Sequence, residues 1–202
     1  MIKNYFKIAC RNLLKNRVFS FINIFGLAIG MTVAILNGLW IWDELSFNKY
    51  HQHYDRITHV MTHGTYKGEE YLNNTLSLPL ALEIQQNYKE GFQHIVKASW
   101  MEDLILAAGD AKLSRTGQFM DQDAPDMLTL KMIYGSRAGL RDPYSIMLSA
   151  STAKGLFGNA NPIDRIVRIN NKTDVKITGV YEDLPYNTSF ANVSFLAPWD
   201  LF

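Results

Sequence analysis

The sequence predicts an α+β domain outside the cytoplasm, preceded by a short amphipathic helix and one transmembrane helix. Three observations predict it. Residues 19–42 carry no charge, five Lys/Arg residues precede them with no acid among them, and beyond residue 43 runs of strand and helix period interleave. The chain of 202 residues has a net charge of +1 that hides an asymmetry: residues 1–42 carry +5 and residues 43–202 carry −4. The body lacks the basic surface that phosphate recognition needs, so nucleic acid is excluded as the main partner. Cys10 is the only cysteine and precedes the apolar run, so residues 43–202 must hold together by a core and not by disulfides.

Residues 1–18 read as a cytoplasmic basic helix. Ile2, Tyr5, Phe6, Ala9, Leu13 and Leu14 recur at helical spacing, while Lys3, Lys7, Arg11 and Lys15 recur every four residues as a basic stripe. Such a helix lies on a membrane surface with its cationic heads among anionic lipids. The competing reading is a basic tail that serves only to set topology.

Residues 19–42, FSFINIFGLAIGMTVAILNGLWIW, form the membrane span. As a helix the run is about 36 Å long against a hydrocarbon core of roughly 30 Å. Its 12 Leu, Ile, Phe and Val residues contribute roughly −4 to −7 kcal/mol on the insertion scale, which outweighs Ser20, Asn23, Thr32 and Asn37. Basic residues before the span and Asp43 and Glu44 after it place the N-terminus in the cytoplasm. A cleaved signal peptide fits poorly, because the run is long and no small-x-small site follows it. Gly26, Gly30, Ala34 and Gly38 repeat every four residues, with Asn23 and Asn37 near the same face. This stripe predicts packing against another helix, although glycine is also frequent in membrane helices generally.

Residues 43–202 form the body. Residues 43–57 read as a continuing helix or stalk, 57–63 as a strand, 64–68 as a turn and 69–73 as its hairpin partner. Residues 78–88 have helical spacing, with Pro79 near the start. Residues 93–101 and 104–107 read as strands, and 109–142 resist assignment. Residues 146–149 form a strand whose Ser149 caps a helix to Phe157, with Gly158 closing it. Residues 166–170 and 174–180 alternate as a hairpin, with Val167 and Ile169 on one face and Val175 and Ile177 on the partner's.

Chemistry is scarce. GLFGNANP, residues 155–162, lacks the Gly-Lys-Ser/Thr of a phosphate loop and closes a helix where such a loop opens one. No cofactor is expected. His51, His53, His59 and His63 are the one candidate metal cluster. No cysteine or ordered carboxylate completes a tetrahedral set, so they read as surface histidines near the membrane. Glu102-Asp103, Asp121-Gln-Asp123 and Glu182-Asp183 read as solvated turns, and no nucleophile–base pattern appears. No catalytic residue is assigned.

Three stretches resemble the MacB/FtsX-like ABC transporter permeases of the Bacteroidetes type: NYFKIACRNLLKNRVFSFINIFGLAIGM (4–31), DELSFNKYHQHYDRITHV (43–60) and MLSASTAKGLFGNANPIDRIVRINNKTDVKITGVYEDLP (147–185). Asp164 stands where that family usually has glycine, Gly155 replaces a common helix former, and Ser189 replaces a frequent histidine. The resemblance implies that residues 43–202 are a MacB-like periplasmic core domain, incomplete at the C-terminus. It implies a non-catalytic permease subunit in the bacterial inner membrane, acting in export or mechanotransmission for peptide, antibiotic or lipoprotein substrates. Its implied partners are a separate cytoplasmic ABC ATPase, a second permease copy and membrane lipids. The alternative is a single-pass anchored periplasmic sensor or binding module.

Overall fold

A computed structural model describes residues 2–202 and all their side chains except those of Ile2, Ala9, Cys10 and Lys89. Ile2 and Ala9 of the expected apolar face therefore lie outside the described side chains. The chain divides into two compact units, Met1–Phe47 and Asn48–Phe202.

The first unit is helical: α1 (Ile2–Lys15) and α2 (Arg17–Ser46), separated at Asn16, whose φ of −113° and ψ of 57° interrupt the helical run. α2 has 30 residues and buries none of them. Phe21, Ile24, Leu27, Ile35, Leu36 and Trp42 are all exposed, so apolar side chains face outward around the whole helix. The helix ends where Phe47 turns to a ψ of 134°. The helix expected through 43–57 thus stops at Ser46. Only a 3₁₀ turn, Tyr54–Arg56, follows.

In the second unit, β1 (Thr62–Tyr66) and β2 (Glu69–Asn73) form an antiparallel hairpin. The strand expected at 57–63 starts only at Thr62, and the expected turn contracts to Lys67-Gly68. Both turn residues have positive φ, 50° and 86°, the conformation that matches a two-residue loop to strand twist. α3 (Leu78–Asn87) follows, with Pro79 in its first turn. Residues 93–101, expected as a strand, are irregular apart from one bridge, Ala98 to Met120. Two backbone bonds join this stretch to the end of β4, Ser99 N to Phe119 O (2.8 Å) and Asp121 N to Lys97 O (3.1 Å). Side chains take the remaining groups: Phe119 N donates to Ser99 Oγ (3.0 Å), Gln118 to Ser99 O (2.7 Å), and Lys97 N to Asp121 (2.8 Å).

The remaining elements are β3 (Glu102–Ala108), β4 (Ala111–Met120), α4 (Ala124–Met127), β5 (Met132–Gly135), β6 (Ser145–Ser149), α5 (Ala150–Phe157), β7 (Ile166–Ile169), β8 (Thr173–Tyr181) and β9 (Phe195–Pro198). The strands run in the order β5-β8-β6-β9-β4-β3-β7, and β7 pairs back onto β8. Six strands therefore close into a ring in which β8 is shared by three neighbours: β6 along one side, β7 and β5 in succession along the other. Ring closure leaves these strands few unpaired edges.

Side-chain alternation then sorts the core. Leu104, Leu106, Phe119, Ile146, Leu148, Val167, Ile169, Val175, Ile177, Phe195 and Ala197 form one cluster with Ala153 and Leu156 of α5. Met120, Met147, Tyr181, Leu196 and Val193 point the other way and pack with Ala124, Leu128, Leu130 and Leu140. β6 and β9 are buried on both faces as a result. A register shift between Ile146 and Met147 keeps Val180 on the inner side and Tyr181 on the outer. The expected hairpin faces of 166–180 are as drawn from sequence. Ser149 does cap α5, accepting from Thr152 N, and Gly158 closes it at a φ of 62°.

Gly117 pairs across from Phe195, and a Cβ there would overlap the Phe195 ring. Gly117→Ala is expected to destabilise the domain by about 1–3 kcal/mol, from overpacking, read as a lowered urea midpoint with an unchanged m-value.

Candidate functional site

The residues predicted for helix packing (Asn23, Gly26, Gly30, Ala34, Asn37 and Gly38) all lie on α2 and are exposed. A Cβ added at Gly26, Gly30 or Gly38 would meet nothing within 4 Å. The stripe is thus an open face of the helix. Lys3, Lys7, Arg11 and Lys15 lie on α1, also exposed.

The segment that directly follows α2 is built differently. Asn48 turns the chain with a φ of 61°, a left-handed conformation that asparagine tolerates. Its N–H donates to Asn187 O (2.8 Å). Its Oδ1 accepts from Ser189 N (2.8 Å) and lies 2.9 Å from Thr188 Oγ1, and its Nδ2 donates to Ser189 Oγ (3.1 Å). Gln52 N donates to Thr129 Oγ1 (2.9 Å). Between them sits His51, only 2% exposed. Its Nδ1 is 2.6 Å from Leu128 O and its Nε2 is 3.1 Å from Thr188 Oγ1. Three residues of the 48–52 segment, Asn48, His51 and Gln52, thereby clamp it to two separate loops, 128–129 and 187–189.

His51 is therefore not the surface histidine expected from sequence. Its ring is covered edge-on by Tyr50 and Phe190, with centroids at 5.3 and 5.8 Å. Burial lowers its pKa below the ordinary 6.5, and the bond to Leu128 offsets part of that shift. Tyr50 is shifted up, first by burial and then by Glu182, while Lys131 lies 5.0 Å from the Tyr50 ring. The other histidines of the set, His53, His59 and His63, are exposed. Among the described residues no group of three or more His, Cys, Asp or Glu side chains is placed to hold a metal ion.

Of the carboxylates expected in solvated turns, Glu182 and Asp183 are exposed and irregular as expected, while Glu102 and Asp103 lie in a strand and Asp121 is largely covered. Asp121 accepts from Lys97 N and pairs with Lys97 Nζ at 3.3 Å. Asp183 accepts from Ser151 N and Oγ at the start of α5 (3.1 and 2.8 Å). Glu102 and Asp103 open β3, where Asp103 accepts from Thr116. Each joins segments distant in sequence.

Residues 20–202 match the MacB-like periplasmic core domain family. The chain belongs to that family. Its fold is similar to a domain of a putative permease from Porphyromonas gingivalis, at 24% identity and a TM-score of 0.59, covering 70% of this chain and 62% of that one. Two further structures overlap it more loosely, each with a TM-score of 0.49. The periplasmic region of MacB from Actinobacillus actinomycetemcomitans is 18% identical, over 62% of this chain and 56% of that one. The extracellular domain of the noncanonic ABC-type transporter YknZ from Gram-positive bacteria is 16% identical, over 62% and 64%. The chain spans under two thirds of the length of each of the three. No curated protein matches it.

Within this MacB-like domain the three departures noted from sequence acquire reasons. Asp164 has a φ of 63°, the backbone region that glycine enters freely. A Cβ on Gly155 would come within 2.7 Å of Leu113 Cδ1, so this helix position packs tightly on β4. Ser189 is one of the residues that hold Asn48. Sequence reasoning missed the clamp. Its one visible trace was Asn48 and Asn187-Thr-Ser, small polar residues suited to turns and side-chain caps. Asn48→Ala removes its side chain's two bonds with Ser189 and its polar contact with Thr188 and is expected to cost about 1–3 kcal/mol, measured by denaturant unfolding. Hydrogen exchange in that variant should rise at 48–52 and 187–190 before it rises in β6.

Proposed function

We propose that this chain belongs to an ABC transporter permease subunit, anchored by residues 19–42, with residues 1–18 on the cytoplasmic surface and residues 43–202 in the periplasm. The observation that carries the reading is the single family match that begins inside α2 and runs through the whole body. Among the described residues one helix, Arg17–Ser46, is long and apolar enough to cross a membrane, which supports the anchor. The excess of Lys and Arg before it supports a cytoplasmic N-terminus.

These 202 residues contain no Gly-Lys-Ser/Thr phosphate loop, and in this reading ATP chemistry is supplied by a separate cytoplasmic ATPase subunit. In this reading ATP-driven motion of the membrane helices passes into the periplasmic body, for export or mechanotransmission with peptide, antibiotic or lipoprotein substrates. The 48–52 clamp supports it mechanically, because a chain segment tied by side chains to two loops transmits displacement without first unravelling. The lysine-rich stripe of α1 suits anionic lipid, and the small-residue stripe of α2 suits a second copy or another helix.

Two measurements test this. The tagged protein, isolated from native membranes in mild detergent, is expected to retain an ABC ATPase subunit identified by mass spectrometry. Recovery of a histidine kinase or cyclase, with no ATPase, would favour the anchored sensor. Gly30→Leu should lower the yield of cross-linked α2 pairs about tenfold, corresponding to roughly 1–2 kcal/mol of close helix packing. An unchanged yield would remove the stripe from the interface.

A further inference from the structure

His51 is bound in a way that counts protons. Leu128 O can only accept, so the proton of a neutral His51 ring sits on Nδ1, and Nε2 faces Thr188 Oγ1 as an acceptor. The Thr188 hydroxyl has one proton for two acceptors, His51 Nε2 and Asn48 Oδ1. In the neutral state it serves Nε2, while Asn48 Oδ1 keeps its bond from Ser189 N. A second proton on the ring would reverse the hydroxyl and leave a full cation between the Tyr50 and Phe190 rings.

Neither partner of the ring nitrogens is anionic. On the histidine's own segment the charged side chains are Lys49, Asp55 and Arg56, all exposed. On the 124–137 stretch they are Asp126, which is exposed, Lys131, and Arg137, which donates to Leu130 O. On the 181–190 stretch Glu182 pairs with Lys131 at 3.8 Å and Asp183 with Ser151. A buried cation without a counter-charge is strongly disfavoured.

We propose that His51 is an acid-released latch: as neutral imidazole it pins the stretch directly following α2 to the 128–129 turn and the 187–190 loop, and protonation frees that stretch. The pH direction follows from burial, which holds the folded-state pKa below 6.5. The unfolded or released segment then binds the proton first. The latch is at full strength above about pH 6.5 and weakens as pH falls from there toward the folded pKa.

The test is hydrogen–deuterium exchange on the full chain in detergent or nanodiscs, at pH 7.5 and 5.5, corrected for intrinsic exchange. Protection at 48–52 and 187–190 is expected to fall at the lower pH, by at most about tenfold, with β6 and β8 unchanged. His51→Asn keeps a donor near Nδ1 but does not titrate, and should abolish the pH difference; His53→Gln should keep it. No pH response in the wild type, or an equal response in His51→Asn, overturns the latch. If His51→Asn does not fold, the His51 ring titration followed by NMR in the wild type decides. A midpoint below 6.5 that moves together with the Thr188 signals supports the latch, and one at or above 6.5 refutes it.

Discussion

The strongest physical constraint on this chain is the composition of α2, whose apolar side chains project on every side with none buried. A helix of this composition has no stable place in water. Exposing a dozen large aliphatic and aromatic side chains forgoes about 1.5–3 kcal/mol for each, whereas hydrocarbon takes them at no such loss. Closed backbone hydrogen bonding also suits α2 to that solvent. The rest of the protein therefore has to fold in water beside a segment that cannot share its core. This is why the body builds its own core, and why the chain divides at Phe47–Asn48.

The body meets that demand without disulfides by bending one sheet into a ring. β8 carries the closure: its first half holds β7 and its second half β5, while β6 runs along its other side. Strict alternation on β6 and β9 then feeds two apolar clusters from the same strands. The outer cluster includes Leu128 and Leu130, and within it Tyr181 Oη donates to Val193 O (3.0 Å). The clamp formed by Asn48, His51 and Gln52 is fastened to loops at this outer cluster. A displacement arriving through residue 48 would reach those loops before it reached the strands of the ring.

Much of this was legible in the sequence, and what was not has physical causes. The membrane-length helix, the Ser149 cap, Gly158 and the 166–180 hairpin depend on local rules of charge, capping and period, so they could be read directly. The strand expected at 93–101 has a suitable pattern, but its pairing is confined to two backbone bonds, because the Ser99 and Asp121 side chains take the amides of Phe119 and Lys97 that a regular ladder would use. Residues 109–142 were unreadable because β4 is buried over only its last four residues, at partners supplied from 195–198. Asn48 and His51 find their partners about 77 to 141 positions away. No spacing rule reaches that far, so the sequence around His51 reads as exposed although the ring is buried.

The claim on which the proposal turns is that residues 19–42 cross the bilayer once, with the lysine-rich end in the cytosol. It is tested by fusing alkaline phosphatase, active only outside the cytoplasm, and green fluorescent protein, fluorescent only within it, in turn after Phe202 and at the N-terminus. Phosphatase activity from the Phe202 fusion and fluorescence from the N-terminal fusion are expected. Fluorescence at Phe202, or a mature protein beginning downstream of residue 42, would contradict the topology.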